Sequence, residues 1–123
     1  MSASSPRVTQ GLGRLYDSVV DTIGNTPSIR INNLAPDHVE LYVKAEYFNP
    51  AASVKDRLAI SIIEEAERSG TLKPGQTVVE ATSGNTGISL ASLAASLNCK
   101  CTIIMPSNMS KQRKDMMLSL IHI

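Results

Sequence analysis

Apolar and polar residues alternate between positions 39 and 47, with Val39, Leu41, Val43, Ala45 and Tyr47 on one side of the pattern. That period of two predicts a half-buried strand, which Asn49-Pro50 ends. The period then lengthens. Val54, Leu58, Ile62 and Ala66 recur every four residues, which predicts a helix with these residues on its inner face. Ser53 is placed to cap its start and Gly70 to close its end. Lys73-Pro74-Gly75 reads as a turn, and Thr77–Ala81 as a short strand rich in β-branched residues. A small-residue loop over 82–87 leads into a helix over 86–98 rich in Ala, Leu and Ser. An apolar strand over 101–105, the loop Pro106-Ser107-Asn108 and a helix over 110–120 follow. Upstream, Gly24-Asn25-Thr26-Pro27 is a turn signal, and residues 28–31 read as a short strand.

Strand and helix alternate, so the expected class is α/β, with helices packed on a mostly parallel sheet in three layers. The crossovers should be right-handed. Ligands of such sheets collect where the carboxyl ends of strands lead into helices. Two segments occupy that place, one around Ser53 and one over 82–87.

Composition narrows the possibilities. The chain has 123 residues, 42% of them hydrophobic and 19% charged, as in an ordinary folded domain. Twelve basic and eleven acidic side chains leave a formal net charge of +1, with no basic excess to attract nucleic acid or an anionic membrane surface. No apolar run is long enough to span a bilayer. Residues 1–14 are expected to be a disordered start. Residues 1–10 are polar and Ser-rich and lack the apolar segment of a secretory signal, so the expected location is cytoplasmic. Cys99 and Cys101 lie two apart in an apolar run, a spacing that suits neither a mutual disulfide nor a zinc site. They read as small hydrophobes of a reducing compartment, and no metal site is expected.

Two segments carry candidate chemistry. In Asn49-Pro-Ala-Ala-Ser-Val-Lys-Asp-Arg57, Lys55 falls in the first turn of its helix, against the positive end of the helix dipole. A cation there breaks a local rule, which hints at function. The same field, with partial burial, would favour the neutral amine, the form that attacks an aldehyde. In Glu80-Ala-Thr-Ser-Gly-Asn-Thr-Gly87, glycines allow close backbone approach, hydroxyl and amide side chains supply donors, and the next helix aims its free N–H groups at the same place. This is a plausible anion cradle, though neither a Walker loop nor GxGxxG. Each segment alone also fits a plain reading, a surface lysine or a Gly/Ser turn capping a helix. His38 and His122 read as uninvolved, and Glu64, Glu65, Glu67 and Arg68 as a solvated helix face. Asp56 and Arg57 are expected to support the lysine helix through a network.

Taken together, these two segments resemble the cysteine synthase/cystathionine β-synthase family. Thr22-Ile-Gly-Asn-Thr-Pro27 and Met105-Pro-Ser-Asn-Met-Ser110 are similar to its other N-terminal signatures, and the resemblance runs from about Leu15 to about Met117. It implies the smaller domain of a fold-type II enzyme dependent on pyridoxal 5'-phosphate. Lys55 would hold that cofactor as a Schiff base and carry the proton at the substrate Cα, and Asn85 would bond the cofactor's phenolic oxygen. Thr82, Ser83, Gly84 and Thr86 would bind the substrate carboxylate. The implied reaction replaces the acetate of O-acetylserine with sulfide to give cysteine, and family members form homodimers and bind serine acetyltransferase. A cystathionine β-synthase-like or serine dehydratase-like enzyme, or a non-catalytic remnant, would share these features.

By the same resemblance residues 15–38 would pack on a larger domain, leaving the strand over 28–31 with an edge that lacks a partner, and residues 39–123 would form the smaller one. Family chains are much longer, and their cofactor-phosphate loop and pyridine-nitrogen partner come later in sequence. Ser28 and Gln112 depart from the pattern, as does the apolar end over 118–123, so the chain is expected to be a truncated fragment, inactive alone.

Overall fold

The computed structural model describes residues 15–120. The expected start over 1–14, His122 and the last three residues of the atypical end lie outside the described residues. Two short strands come first, β1 (Ser28–Arg30) and β2 (Tyr42–Lys44). They are followed by α1 (Lys55–Arg68), β3 (Thr77–Ala81), α2 (Asn85–Ser96), β4 (Lys100–Ile104) and α3 (Lys111–Leu120).

The β3–α2–β4 unit follows from its sequence. Thr77, Val78 and Val79 favour extended backbone. The connection through α2 brings β4 back parallel to β3, with Val78 opposite Cys101 and Glu80 opposite Ile103. Period two then sorts the side chains. Val78, Cys101 and Ile103 pack toward the core, while Val79 and Ile104 on the other face stay 57% and 56% exposed. Of the three layers expected, the described residues build the sheet and the helical layer over one of its faces. The core is Ala59 and Ile63 of α1 against Leu90 and Leu93 of α2, with Val20 and Ile23 packed on it from the start of the chain. α3 packs along α2 and buries Met117.

Helix α1 is present, but its expected inner face is not the one buried. Val54, Leu58 and Ile62 are 46%, 44% and 50% exposed, whereas Asp56, Ala59 and Ile63 are buried. The second set has the spacing i, i+3, i+7, which is as helical as the first. Periodicity cannot choose between two such faces. The choice falls to the face that carries Asp56, whose carboxylate bonds to α2.

The long alternating strand is also corrected. Only 42–44 is strand, all three residues are exposed, and a 3₁₀ turn over Glu46–Phe48 follows. β2 pairs antiparallel with β1, Ser28 opposite Lys44 and Ile29 opposite Val43. The edge expected to lack a partner therefore has one, and the pairing crosses the domain boundary expected between 38 and 39. The strand ends at Lys44, and the Ala45 N–H adds one rung beyond it by donating to Pro27 O at 2.9 Å. Beyond it the side chains of Glu46 and Asn49 are engaged by loop and helix groups, which turns the chain out of the ladder.

Candidate active site

The start of α1 is fixed from several sides. Ser53, 7% exposed, accepts the Lys55 N–H on its hydroxyl at 3.1 Å, although the residue that directly precedes the helix is Val54. Asp56, 2% exposed, accepts the Ala51 N–H at 2.7 Å. Between them Ala52 sits at φ 55°, in the left-handed region where a side chain is strained. Lys55 itself is exposed, so the partial burial expected of it is not found. Its ammonium has no hydrogen-bond partner among the described residues.

A network behind this loop joins two of the sequence signatures. Gly24 N–H donates to Asn49 Oδ1 at 2.9 Å, and Thr26 Oγ1 donates to Glu46 Oε1 at 2.7 Å. Arg57 grips Glu46 with Nε on Oε2 at 2.9 Å and Nη2 on Oε1 at 3.2 Å, and Nη2 also reaches Thr26 Oγ1 at 3.2 Å. The hydrogen bond from Arg57, then that from Thr26, hold the Glu46 carboxyl down to about 2, and Glu46 in turn raises Arg57. Asp56 and Arg57 thus act through networks, as expected. Glu46, Thr26, Asn49 and Ser89 were missed as partners. The signal available for Thr26 and Asn49 was their place inside the quoted signatures, whereas Glu46 and Ser89 carry no local pattern.

The second segment forms a crevice at the carboxyl ends of β3 and β4. It has a volume of about 660 Å³ and is lined by 81–84 from one strand end and 104–106 from the other. Thr82 N–H donates to Ile104 O at 3.0 Å, which carries the ladder one step beyond the strands. Thr82 Oγ1 accepts the Gly84 N–H at 3.4 Å, and Arg113 of α3 donates to Ser83 O at 2.9 Å. α2 begins at Asn85 with Gly84 before it and no side-chain cap. The N–H groups of Asn85 and Thr86 are left without partners among the described residues, at the positive end of the helix dipole. Of the predicted site residues, Thr82, Ser83 and Gly84 line the crevice. Asn85 is exposed and Thr86 half-buried at the helix start beside it, and Lys55 stands at the start of the neighbouring helix. A cavity of about 610 Å³ opens at the opposite end of the strands around Lys73, Pro74 and Cys99. In parallel sheets the carboxyl end is where ligands gather.

His38 is exposed, and Glu64, Glu65, Glu67 and Arg68 form an exposed face with Glu65 paired to Arg68. Both cysteines are free and half-buried, and burial pushes the Cys101 thiol up.

This chain belongs to the family of pyridoxal-phosphate dependent enzymes, whose family model matches residues 19–120. It is 49% identical over 102 residues to O-ureido-L-serine synthase of Streptomyces lavendulae, covering 83% of this chain and 32% of that one. It is 46% identical over 110 residues to cystathionine beta-synthase of Rattus norvegicus, covering 87% and 20%. Among solved structures, O-acetyl serine sulfhydrylase isoform 3 of Entamoeba histolytica superposes with a TM-score of 0.86 at 37% identity, over 94% of this chain and 36% of that one. The chain thus spans about a third or less of the length of these relatives. Its residues fit part of the family's cofactor, with an accessible, unpaired primary amine suited to an aldehyde and free N–H groups suited to an anion.

Proposed function

We propose that this chain carries the lysine and the carboxylate-binding loop of a β-replacement enzyme that exchanges the acetate of O-acetylserine for sulfide to form cysteine. The observation that carries this reading is the exposed Lys55 at the start of α1, without a partner among the described residues, next to a helix α2 whose first N–H groups likewise have none there, at a strand-end crevice. Bound pyridoxal phosphate would supply the electron sink for bond cleavage at the substrate Cα. Lys55 would hold it and move the Cα proton. Asn85 would donate to its phenolic oxygen. Thr82, Ser83, Gly84 and Thr86 would hold the substrate carboxylate with hydroxyl and backbone donors, so that the Cα–H bond faces the lysine amine. A homodimer and a docked serine acetyltransferase tail belong to the same proposal.

The test is chemical. The purified chain is mixed with pyridoxal phosphate and reduced with borohydride, and the modified lysine is mapped. Preferential labelling of Lys55, lost in Lys55→Ala, is expected. Labelling spread evenly over the lysines would overturn the assignment. Cofactor binding by these 123 residues taken alone should be weak and cysteine formation essentially nil, because hydrogen bonds to a charged group are worth roughly 1.5–3 kcal/mol each, and residues 88–123 hold no glycine from which a second such loop could supply them to the phosphate. Turnover near that of the long relatives would refute that expectation. A cystathionine β-synthase-like enzyme would favour a larger thiol over sulfide as second substrate.

A further inference from the structure

Asp56 follows Lys55 directly, and Ser89 lies one helical turn beyond Asn85. The Ser89 hydroxyl donates to Asp56 Oδ1 at 2.5 Å, while Oδ2 takes the Ala51 N–H at 2.7 Å. Ser89 is 0% exposed and Asp56 2%. Both carboxylate oxygens are therefore used, one on the loop before Lys55 and one on the helix that begins with Asn85. The rest of the buried core shared by α1 and α2 is apolar, Ala59 and Ile63 against Leu90 and Leu93. The hydrophobic driving force of such contacts is non-directional, and their interlocking ties no single pair of atoms as a hydrogen bond does. A buried acid is a poor route to stability, since well-packed apolar residues would do as well or better. What this pair supplies is direction. Its bond fixes how far α1 can slide or turn on α2, and so where the Lys55 amine stands relative to the Asn85–Thr86 helix start.

We propose that Ser89 and Asp56 are positioning residues, a buried hydrogen bond that sets Lys55 in register with the start of α2. The inference rests on the reading of Lys55 as the cofactor lysine. Ser89→Ala removes the donor, Asp56→Asn keeps an acceptor of the same shape but removes its charge, the double variant does both, and Ser89→Cys keeps a weak donor of similar size. The first readout needs no cofactor. Amide exchange in Ser89→Ala should rise together at 52–56 and at 85–88, by about tenfold beyond the change in global stability, the scale of one hydrogen bond to a charged group. A rise confined to α2, or one that merely follows global stability, overturns the proposal. In the second readout, pyridoxal phosphate is trapped with borohydride, and the share on Lys55 is measured per folded molecule. That share should fall by about tenfold in Ser89→Ala, fall no further in the double variant, and recover in part in Ser89→Cys. An unchanged share in Ser89→Ala overturns the proposal even where exchange rises. Absence of any Lys55 preference in the parent chain instead sinks the functional reading, and the exchange result then decides the helix register by itself.

Discussion

The guanidinium of Arg57 meets the carboxylate of Glu46 through two bonds, Nε to Oε2 at 2.9 Å and Nη2 to Oε1 at 3.2 Å. This fork ties the helix that begins with Lys55 to the 3₁₀ turn that ends β2. Arg is suited to it because its planar donors match both carboxylate oxygens at once, which Lys cannot do. The Arg57 guanidinium also lies 3.1 Å from where a Cβ on Gly24 would stand, so that turn is fitted closely around it.

Acid should weaken this fork before it weakens the core. The Glu46 carboxyl is held down from 4.5 to about 2, first by Arg57 and then by Thr26. Its folded value lies below its unfolded one, so its contribution is complete above the unfolded value and is lost as pH falls toward the folded one. Glu46→Gln should therefore lower the urea midpoint clearly at about pH 6.5 and much less at about pH 2.5. An equal loss at both values would show that the carboxylate charge does not matter here.

Ala52 offers a stabilising substitution. At φ 55° a side chain costs roughly 1–2 kcal/mol relative to glycine. Glycine gives back about 0.4–1 kcal/mol through the freer unfolded chain. Ala52→Gly should thus gain on the order of 0.5–1 kcal/mol, seen as a higher urea midpoint with unchanged slope. A lower midpoint would mean that the loop relaxes out of the left-handed region.

Gly87 marks a close approach. A Cβ there would stand 2.8 Å from Thr82 Cγ2, 2.8 Å from Met117 Cε and 3.2 Å from Met117 Sδ. The thioether end of Met117 can turn aside, but the Thr82 methyl is only two bonds from the backbone of the crevice. Gly87→Ala should cost about 1–3 kcal/mol from overpacking, set against at most about 1 kcal/mol gained in helix propensity. Thr82→Ser removes the clashing methyl and should restore part of that loss in the Gly87→Ala background. Strict additivity of the two changes in thermal unfolding would show that the clash is absorbed elsewhere.

Local chemistry alone determined a good part of this protein. Thr77–Ala81 was legible as a strand because three β-branched residues and flanking turn signals act within a few positions. Helices α2 and α3 were legible within two residues of their observed ends, and the site segments because their residue types stand together in the chain. Tertiary structure decided what two distant segments must agree on. Which face of α1 is buried depended on Asp56 finding Ser89, 33 residues away. The early end of β2 depended on Glu46 meeting Arg57 and on Asn49 meeting Gly24. Apolar periodicity reports only that a face can be buried. The partner that fills it, and the polar groups that must pair once buried, are fixed when the chain folds back on itself.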